Sequence, residues 1–182
     1  MKVKLRPSSG ESTTRMGDWY AIDLVLNRKQ FILCVSSKSR LAVALDASPY
    51  ANFPDRLCDA VTGVLKAIGV NETAVQEERL QMDEIVLAKT VDKSILGTMN
   101  ECRFQLDYAH RLGRLDLNDT LMISLSLSKL ISLALPEGYP RDAALKLFGQ
   151  DPPDRRQKVA EAEKPIAKSA EVQGKPRLYI LK

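Results

Sequence analysis

The fold is decided by Val86-Leu87-Ala88-Lys89-Thr90-Val91-Asp92-Lys93-Ser94-Ile95-Leu96-Gly97-Thr98-Met99-Asn100, a segment that joins a short apolar run to a helix. Residues 85–88 are apolar and partly β-branched, which predicts a buried strand. Asp92 or Ser94 is suited to cap the following helix, because its side-chain oxygen can accept hydrogen bonds from first-turn amides. We therefore predict a strand, a polar junction and a helix over residues 93–112.

The predicted helix carries one apolar stripe. Its members alternate at steps of four and three residues, the spacing that places side chains on one face of a helix. They are Ile95, Met99, Cys102, Leu106 and Ala109. We expect this stripe to face a hydrophobic core.

The polar junction offers two interpretations. Lys89, Thr90 and Lys93 fall at the end of the strand and the start of the helix, where free backbone amides can hold an anion such as a phosphate. A capped helix with solvated lysines accounts for the same residues, and we favour it. An enzyme that acts on a phosphate-containing ligand at residues 89–100 is the alternative.

Three runs upstream have the alternation and the short connections of an antiparallel meander. The predicted strands cover residues 19–26, 30–35 and 41–45, with turns at 27–29 and 36–39. Trp19, the single tryptophan of the chain, starts the first strand beside Asp18. We favour a lid over the core for Trp19 rather than an exposed recognition surface.

Helical spacing returns after the meander. Residues 55–68 keep apolar positions at helical intervals, and Gly69 is a natural stop. A shorter helix is predicted from Asn71 or Thr73 to Leu80. It carries part of an acidic cluster, which we interpret as a solvated face because adjacent carboxylates on a short helix point apart. The cluster consists of Glu77, Glu78, Asp83 and Glu84.

Residues 121–128 alternate Leu or Ile with Met or Ser, which favours a half-buried strand. The competing prediction is a helix over residues 121–135, in which Ser124, Ser128 and Ser132 recur every four residues. We choose the strand. A closing helix is predicted over residues 141–148, and Gly149 ends the domain.

The remaining residues form a tail. Residues 150–182 contain eight basic and five acidic residues, so they carry +3 of the net charge of +4. Few large apolar side chains occur before residue 176, and we predict disorder or a transient helix because little surface can be buried to offset the chain entropy. Leu178, Tyr179 and Ile180 then form a β-prone end that is expected to dock on the protein's own body or on a partner's sheet edge.

Composition limits the class of protein. The 182 residues are 45% hydrophobic, enough for a single core without disulfides or a metal. Three separated cysteines, Cys34, Cys58 and Cys102, indicate core thiols in a reducing compartment. Neither a secretory signal nor a membrane span of about 20 apolar residues is evident. We predict a cytoplasmic protein without cofactor or metal.

Four segments of the chain form recognisable motifs: Gly17-Asp18-Trp19-Tyr20-Ala21, residues 85–90, Ser94-Ile95-Leu96-Gly97-Thr98-Met99-Asn100 and Tyr139-Pro140. In these motifs the chain resembles a family of small uncharacterised bacterial proteins. The resemblance covers roughly residues 1–149 and implies a single α+β domain of unknown function. No activity transfers with it.

We therefore predict an α+β domain over residues 1–149, an antiparallel meander packed against two to four helices, followed by a disordered tail over residues 150–182. The expected function is non-enzymatic: an antitoxin-like or inhibitor-like protein whose tail orders on a protein partner. Nucleic-acid binding through the basic tail is an alternative. The candidate binding residues are Asp18, Trp19, Lys89, Thr90, Asn100, Arg103, Leu178, Tyr179 and Ile180.

Overall fold

The computed structural model describes residues 4–5, 12–82, 86–87 and 92–153. A short 3₁₀ turn, Tyr50–Asn52, precedes the first helix. In chain order the strands and helices are β1 (Lys4–Leu5), β2 (Trp19–Leu26), β3 (Lys29–Ser36), β4 (Ala42–Asp46), α1 (Phe53–Ile68), α2 (Glu72–Gln81), β5 (Val86–Leu87), α3 (Lys93–Arg111), α4 (Thr120–Leu127) and α5 (Pro140–Leu147).

The predicted antiparallel meander is confirmed, with strand order β2-β3-β4. Leu26 stands opposite Lys29, so the connection between β2 and β3 is a two-residue turn. Asn27 and Arg28 adopt φ values of 46° and 65°, the left-handed conformation that tight hairpins require at both central positions. Elsewhere, β1 and β5 form a small parallel pair, which confirms the strand predicted at Val86 and Leu87.

The central strand β3 is buried on both faces. Ile32 and Cys34 enter one core with α1, α2 and α5, whereas Phe31, Leu33 and Val35 enter a second core with α3. Helix α4 lies beside β4 and contributes Ile123 to the second core. Five helices of the described residues thus accompany the sheet, and the α+β fold class is confirmed.

The strand predicted over residues 121–128 is wrong, because this segment is helix α4. Asp119 caps the helix by accepting a hydrogen bond from the Met122 amide at 2.9 Å. The Ser124 hydroxyl donates to the Thr120 carbonyl at 2.7 Å. Serines that bond the preceding turn are compatible with a helix, so the alternation of Leu and Ser did not require a strand. The alternative helix to residue 135 was too long, since α4 ends at Leu127.

Ser124 also closes the outer edge of β4. Its hydroxyl oxygen accepts a hydrogen bond from the Ala44 amide at 2.9 Å, and the side chain is fully buried. An unpaired edge amide buried under a helix would be costly. The helix therefore supplies the partner that a further strand would otherwise provide.

The solvated-face interpretation of the acidic cluster is wrong for Glu78, which is 1% exposed. Its carboxylate accepts hydrogen bonds from the Arg15 amide at 2.8 Å and the Met16 amide at 3.0 Å. Glu77 beside it is exposed and pairs with the Arg15 guanidinium at 2.9 Å. Glu78 thus links α2 to the loop before β2 by two hydrogen bonds. The other two members of the cluster, Asp83 and Glu84, lie outside the described residues.

Several predictions fall on other parts of the chain that the structure does not describe. Lys89 and Thr90 are among them, as are the tail residues Leu178, Tyr179 and Ile180. Within the described ranges, no helix combines the length and the apolar character needed to cross a membrane.

Candidate functional site

Helix α3 organises the candidate site. As predicted, the Asp92 carboxylate caps it, accepting hydrogen bonds from the Ser94 amide at 2.8 Å and the Ile95 amide at 3.2 Å. Four members of the predicted stripe, all except Ala109, are buried in the second core: Ile95, Met99, Cys102 and Leu106. This burial fixes the rotation of the helix and turns another flank toward the edge of β2.

A groove of about 350 Å³ lies between that flank and the end of β2. Val25 and Phe104, on opposite sides of it, are 56% and 64% exposed. Arg111 pairs with Asp107 at 2.8 Å, whereas Arg103 makes no salt bridge with a described residue. The lining residues are Val25, Leu26, Asn100, Arg103, Phe104, Asp107 and Arg111.

No strand of the described residues pairs with β2 along the side next to this groove. The Ser36 amide donates to the Leu41 carbonyl and the Ala47 amide donates to the Gln30 carbonyl, so even-numbered residues of β3 bond toward β4. Odd-numbered residues of β3 bond toward β2, where they pair with even-numbered residues. The backbone groups of Ala21, Asp23 and Val25 therefore point away from the sheet, and all three residues are exposed.

Two of the predicted site residues, Asn100 and Arg103, meet in this groove. Asp18 and Trp19 lie at the opposite end of β2, since seven residues of strand span about 23 Å. The Asp18 amide donates to the Ser37 hydroxyl at 2.9 Å. Trp19 packs half-buried against the first core, in agreement with the lid interpretation. Asp18 therefore lies far from Asn100 and Arg103.

The N-terminus of α3 is already paired with the negatively charged Asp92 carboxylate. The first-turn amides of Ser94 and Ile95 bond the Asp92 carboxylate, which leaves these donors unavailable to a phosphate. Arg40 donates to the Ser94 hydroxyl at 3.1 Å. Burial, followed by the carboxylates of Asp92 and Asp18, raises the pKa of Tyr20 nearby. This end of the helix is arranged for capping and packing.

The three cysteines are free and buried, as the sequence predicts. Burial raises the pKa of the Cys34 and Cys102 thiols to about 12, and burial also raises the pKa of Cys58. A thiol that stays protonated is a poor nucleophile and a poor metal ligand. Among the described residues, no group of three or more His, Cys, Asp or Glu side chains is placed to hold a metal ion.

Sequence reasoning missed Val25, Phe104, Asp107 and Arg111. A signal for Phe104 was present only in combination with a neighbour, because single exposed apolar side chains are common whereas contiguous apolar patches mark interaction sites. Tyr108 follows one turn later and is also exposed. The participation of Val25 carried no such signal, because it depends on which strand forms the edge of the sheet.

No curated protein and no solved structure gives a significant match to the chain. A family model does match, and it covers residues 1–143, which include the whole sheet, the groove and its flanking helix. The chain belongs to the family described as "Domain of unknown function (DUF6933)".

Proposed function

We propose that the protein is a non-enzymatic binding protein, antitoxin-like or inhibitor-like in its layout. It acts through its compact body and through a C-terminal tail that orders on a protein partner. The observation that carries this proposal is the groove between β2 and α3. It offers exposed Val25 and Phe104 beside an Arg103 without a salt bridge to any described residue. Aromatic and arginine side chains are enriched at protein interfaces and supply much of their binding energy.

The shape of the groove favours a protein over a small molecule. Small-molecule sites enclose most of the ligand surface, whereas two of the apolar lining residues of this groove are more than half exposed. A flat partner surface or an extended segment covers such side chains better than a small ligand does. The protonated thiols and the capped start of α3 count against the enzyme alternative.

The cellular setting of the proposal rests on the sequence. Buried free thiols are compatible with a reducing cytoplasm, and the similarity of residues 17–21 and 94–100 to bacterial proteins supports a bacterial source. The tail brings basic side chains, so nucleic acid is the competing partner. The experiment below separates a protein from a nucleic acid.

Photo-crosslinking from the groove tests the proposal. A benzophenone amino acid replaces Phe104 in the full chain, expressed in the native host, and the adducts are identified by mass spectrometry with and without nuclease. The matched control places the same amino acid at Leu80, which is 75% exposed on α2. We expect a protein adduct at position 104 that survives nuclease and is absent at position 80. Identical adducts at both positions, or nucleic acid as the only adduct, would contradict the proposal.

The contribution of the tail is tested in the same cells. The double substitution Tyr179→Asp and Ile180→Asp keeps the chain length but removes two apolar side chains from the β-prone end. We expect less crosslinked partner at position 104, because the tail no longer orders on it. An unchanged amount of partner crosslinked at position 104 would show that the tail does not contribute to binding and that the groove alone is responsible.

A further inference from the structure

The geometry points to strand addition at the open edge of β2: a partner protein places an extended segment there, with a basic side chain opposite Asp23 and apolar side chains facing α3. This inference rests on the proposed function and specifies how the partner is held. In this binding mode, backbone hydrogen bonds supply affinity and alternate side chains supply specificity.

The groove lies beyond the edge of the strand, where an added strand would run. Val25 and Leu26 are consecutive residues of β2, so their side chains point to opposite faces of the sheet. Both nevertheless line the same groove, which therefore wraps around the outer edge. The flank of α3 with Arg103 and Phe104 forms its wall. A strand paired with β2 would thus direct every second side chain toward this wall.

The backbone of the edge is prepared for such pairing. Ala21, Asp23 and Val25 direct their N–H and C=O groups away from β3, and the side chains of all three are exposed. The other edge of the sheet is not equivalent, because the Ala44 amide of β4 bonds Ser124. Strand addition is therefore directed to β2.

The charge of Asp23 argues against a second copy of this chain as the occupant. In the two antiparallel registers that pair β2 with itself over its full length, Asp23 meets its own copy directly opposite or on the diagonal. Like charges at these positions destabilise a sheet, and opposite charges stabilise it. The edge consequently fits a segment that carries Lys or Arg where β2 carries Asp23.

The side-chain pattern of the partner follows from the two faces of β2. Partner residues opposite Asp23 would lie on the sheet face that packs against α1, α2 and α5 at β3 and β4 but is exposed along β2. Polar or basic side chains are therefore expected at those positions of the partner. The alternate partner residues would lie on the opposite sheet face, which packs against α3, and would be near Phe104. β-branched apolar side chains are therefore expected at those positions. The fitting segment alternates basic and apolar residues.

Two synthetic peptides with acetylated N-termini and amidated C-termini serve as probes. One is Thr-Val-Lys-Val-Lys-Val-Thr, and the other has Glu in place of both Lys. Each is titrated into the ¹⁵N-labelled full chain, and amide hydrogen exchange is followed by NMR. We expect the Lys peptide to slow exchange at Ala21, Asp23 and Val25. The amides of Tyr20, Ile22 and Leu24 face β3, so they should keep their exchange rates and report that the fold is intact.

A charge reversal makes the test specific. The Glu peptide should bind the natural chain about fivefold more weakly, the scale of a cross-strand charge pair, and Asp23→Lys should reverse this preference. Asp23→Asn should make the two peptides nearly equal. Strand addition is overturned if neither peptide slows exchange at Ala21, Asp23 and Val25 at its highest soluble concentration. It is also overturned if the ratio of the two peptide affinities is the same in the natural chain and in the Asp23 variants.

Other occupants give different results. Outward amides that are protected before any peptide is added, and that lose protection on dilution, would assign the edge to a second copy of the chain. Protection that persists on dilution would assign it to the chain itself. Either result overturns the inference about a partner. An adduct at position 104 without peptide protection would leave the proposed function standing and remove only the strand mode.

Discussion

A single buried carboxylate, that of Glu78, holds the loop before β2 through the amides of Arg15 and Met16. Glu78→Gln replaces one acceptor oxygen with an NH₂ group, so one of these amides, buried at Met16 and partly buried at Arg15, faces another donor. We expect a loss of about 1–3 kcal/mol of unfolding free energy, measured by urea denaturation.

The adjacent residue provides the control for this prediction. Glu77→Gln removes an exposed ion pair with Arg15, and exposed pairs contribute between about 0 and 1 kcal/mol. A loss at position 77 as large as that at position 78 would show that charge, rather than the buried hydrogen bonds, is responsible.

The buried thiols predict a dependence of stability on pH. The pKa of Cys34 is raised to about 12 in the native state, whereas an unfolded thiol ionises near its ordinary value of about 8.5. Between these values the unfolded chain has lost the proton and the native chain has kept it. Stability should therefore fall as pH rises through this window, by up to about 1.4 kcal/mol per pH unit for each such thiol.

The comparison between the natural chain and Cys34→Ala isolates this effect. Urea denaturation at several pH values from about 8 to 11 should give a shallower decline for the variant, because one ionising thiol is absent from its unfolded state. Parallel declines would mean that Cys34 ionises equally in both states.

At the scale of elements, Ser124 joins α4 to the edge of β4. Ser124→Ala removes the acceptor of the Ala44 amide, and we expect a loss of about 1–3 kcal/mol because that buried donor becomes unpaired. Ser126→Ala is the matched control, since the Ser126 hydroxyl donates to the Ile123 carbonyl of its own helix, makes no other hydrogen bond with a described residue and is exposed. Equal losses in thermal or urea unfolding would mean that the bond to β4 contributes nothing.

Elements with a regular apolar period could be predicted from the sequence. The stripe from Ile95 to Leu106 identified α3, and alternation identified β2 and β3. Helix α4 could not be predicted in the same way, because its apolar residues contact both cores and leave no single stripe. Its serine hydroxyls donate hydrogen bonds to backbone carbonyls of the preceding turn. The sequence of polar and apolar residues does not reveal these bonds.

The candidate site was only partly predictable for a related reason. Asn100 was found because it ends the junction segment on which the sequence analysis is centred, and Arg103 because it follows on the same predicted helix. Burial of Glu78 depends on amides more than 60 residues away in the chain, and exposure of Val25 depends on the strand order. Both are properties of tertiary structure, for which local spacing carries no signal.

At the scale of the molecule, β3 couples the two cores by contributing side chains to each. Met99→Ala opens a cavity in the second core and should cost about 2–5 kcal/mol. Trp19 packs against the first core, so its fluorescence reports from the other side of the sheet. We expect the fluorescence and far-UV circular dichroism transitions to shift together in urea.

Leu96→Ala controls for the loss of an apolar side chain from the same helix, because Leu96 is 40% exposed. It should shift both transitions much less than Met99→Ala. A Trp19 transition that stays in place while the circular dichroism transition moves would show that the cores unfold independently.

The unequal edges of the sheet also limit how the molecule can polymerise. A fibre grown by edge pairing needs two complementary edges on every subunit, because each newly added molecule must offer a fresh one. In the three-stranded sheet that the described residues form, β4 is buried beside α4 and its Ala44 amide bonds Ser124, so pairing at β2 uses the remaining edge of this sheet and growth ends. Ser124→Ala should therefore destabilise the fold without starting a fibre, because α4 still lies beside β4 and keeps this edge buried.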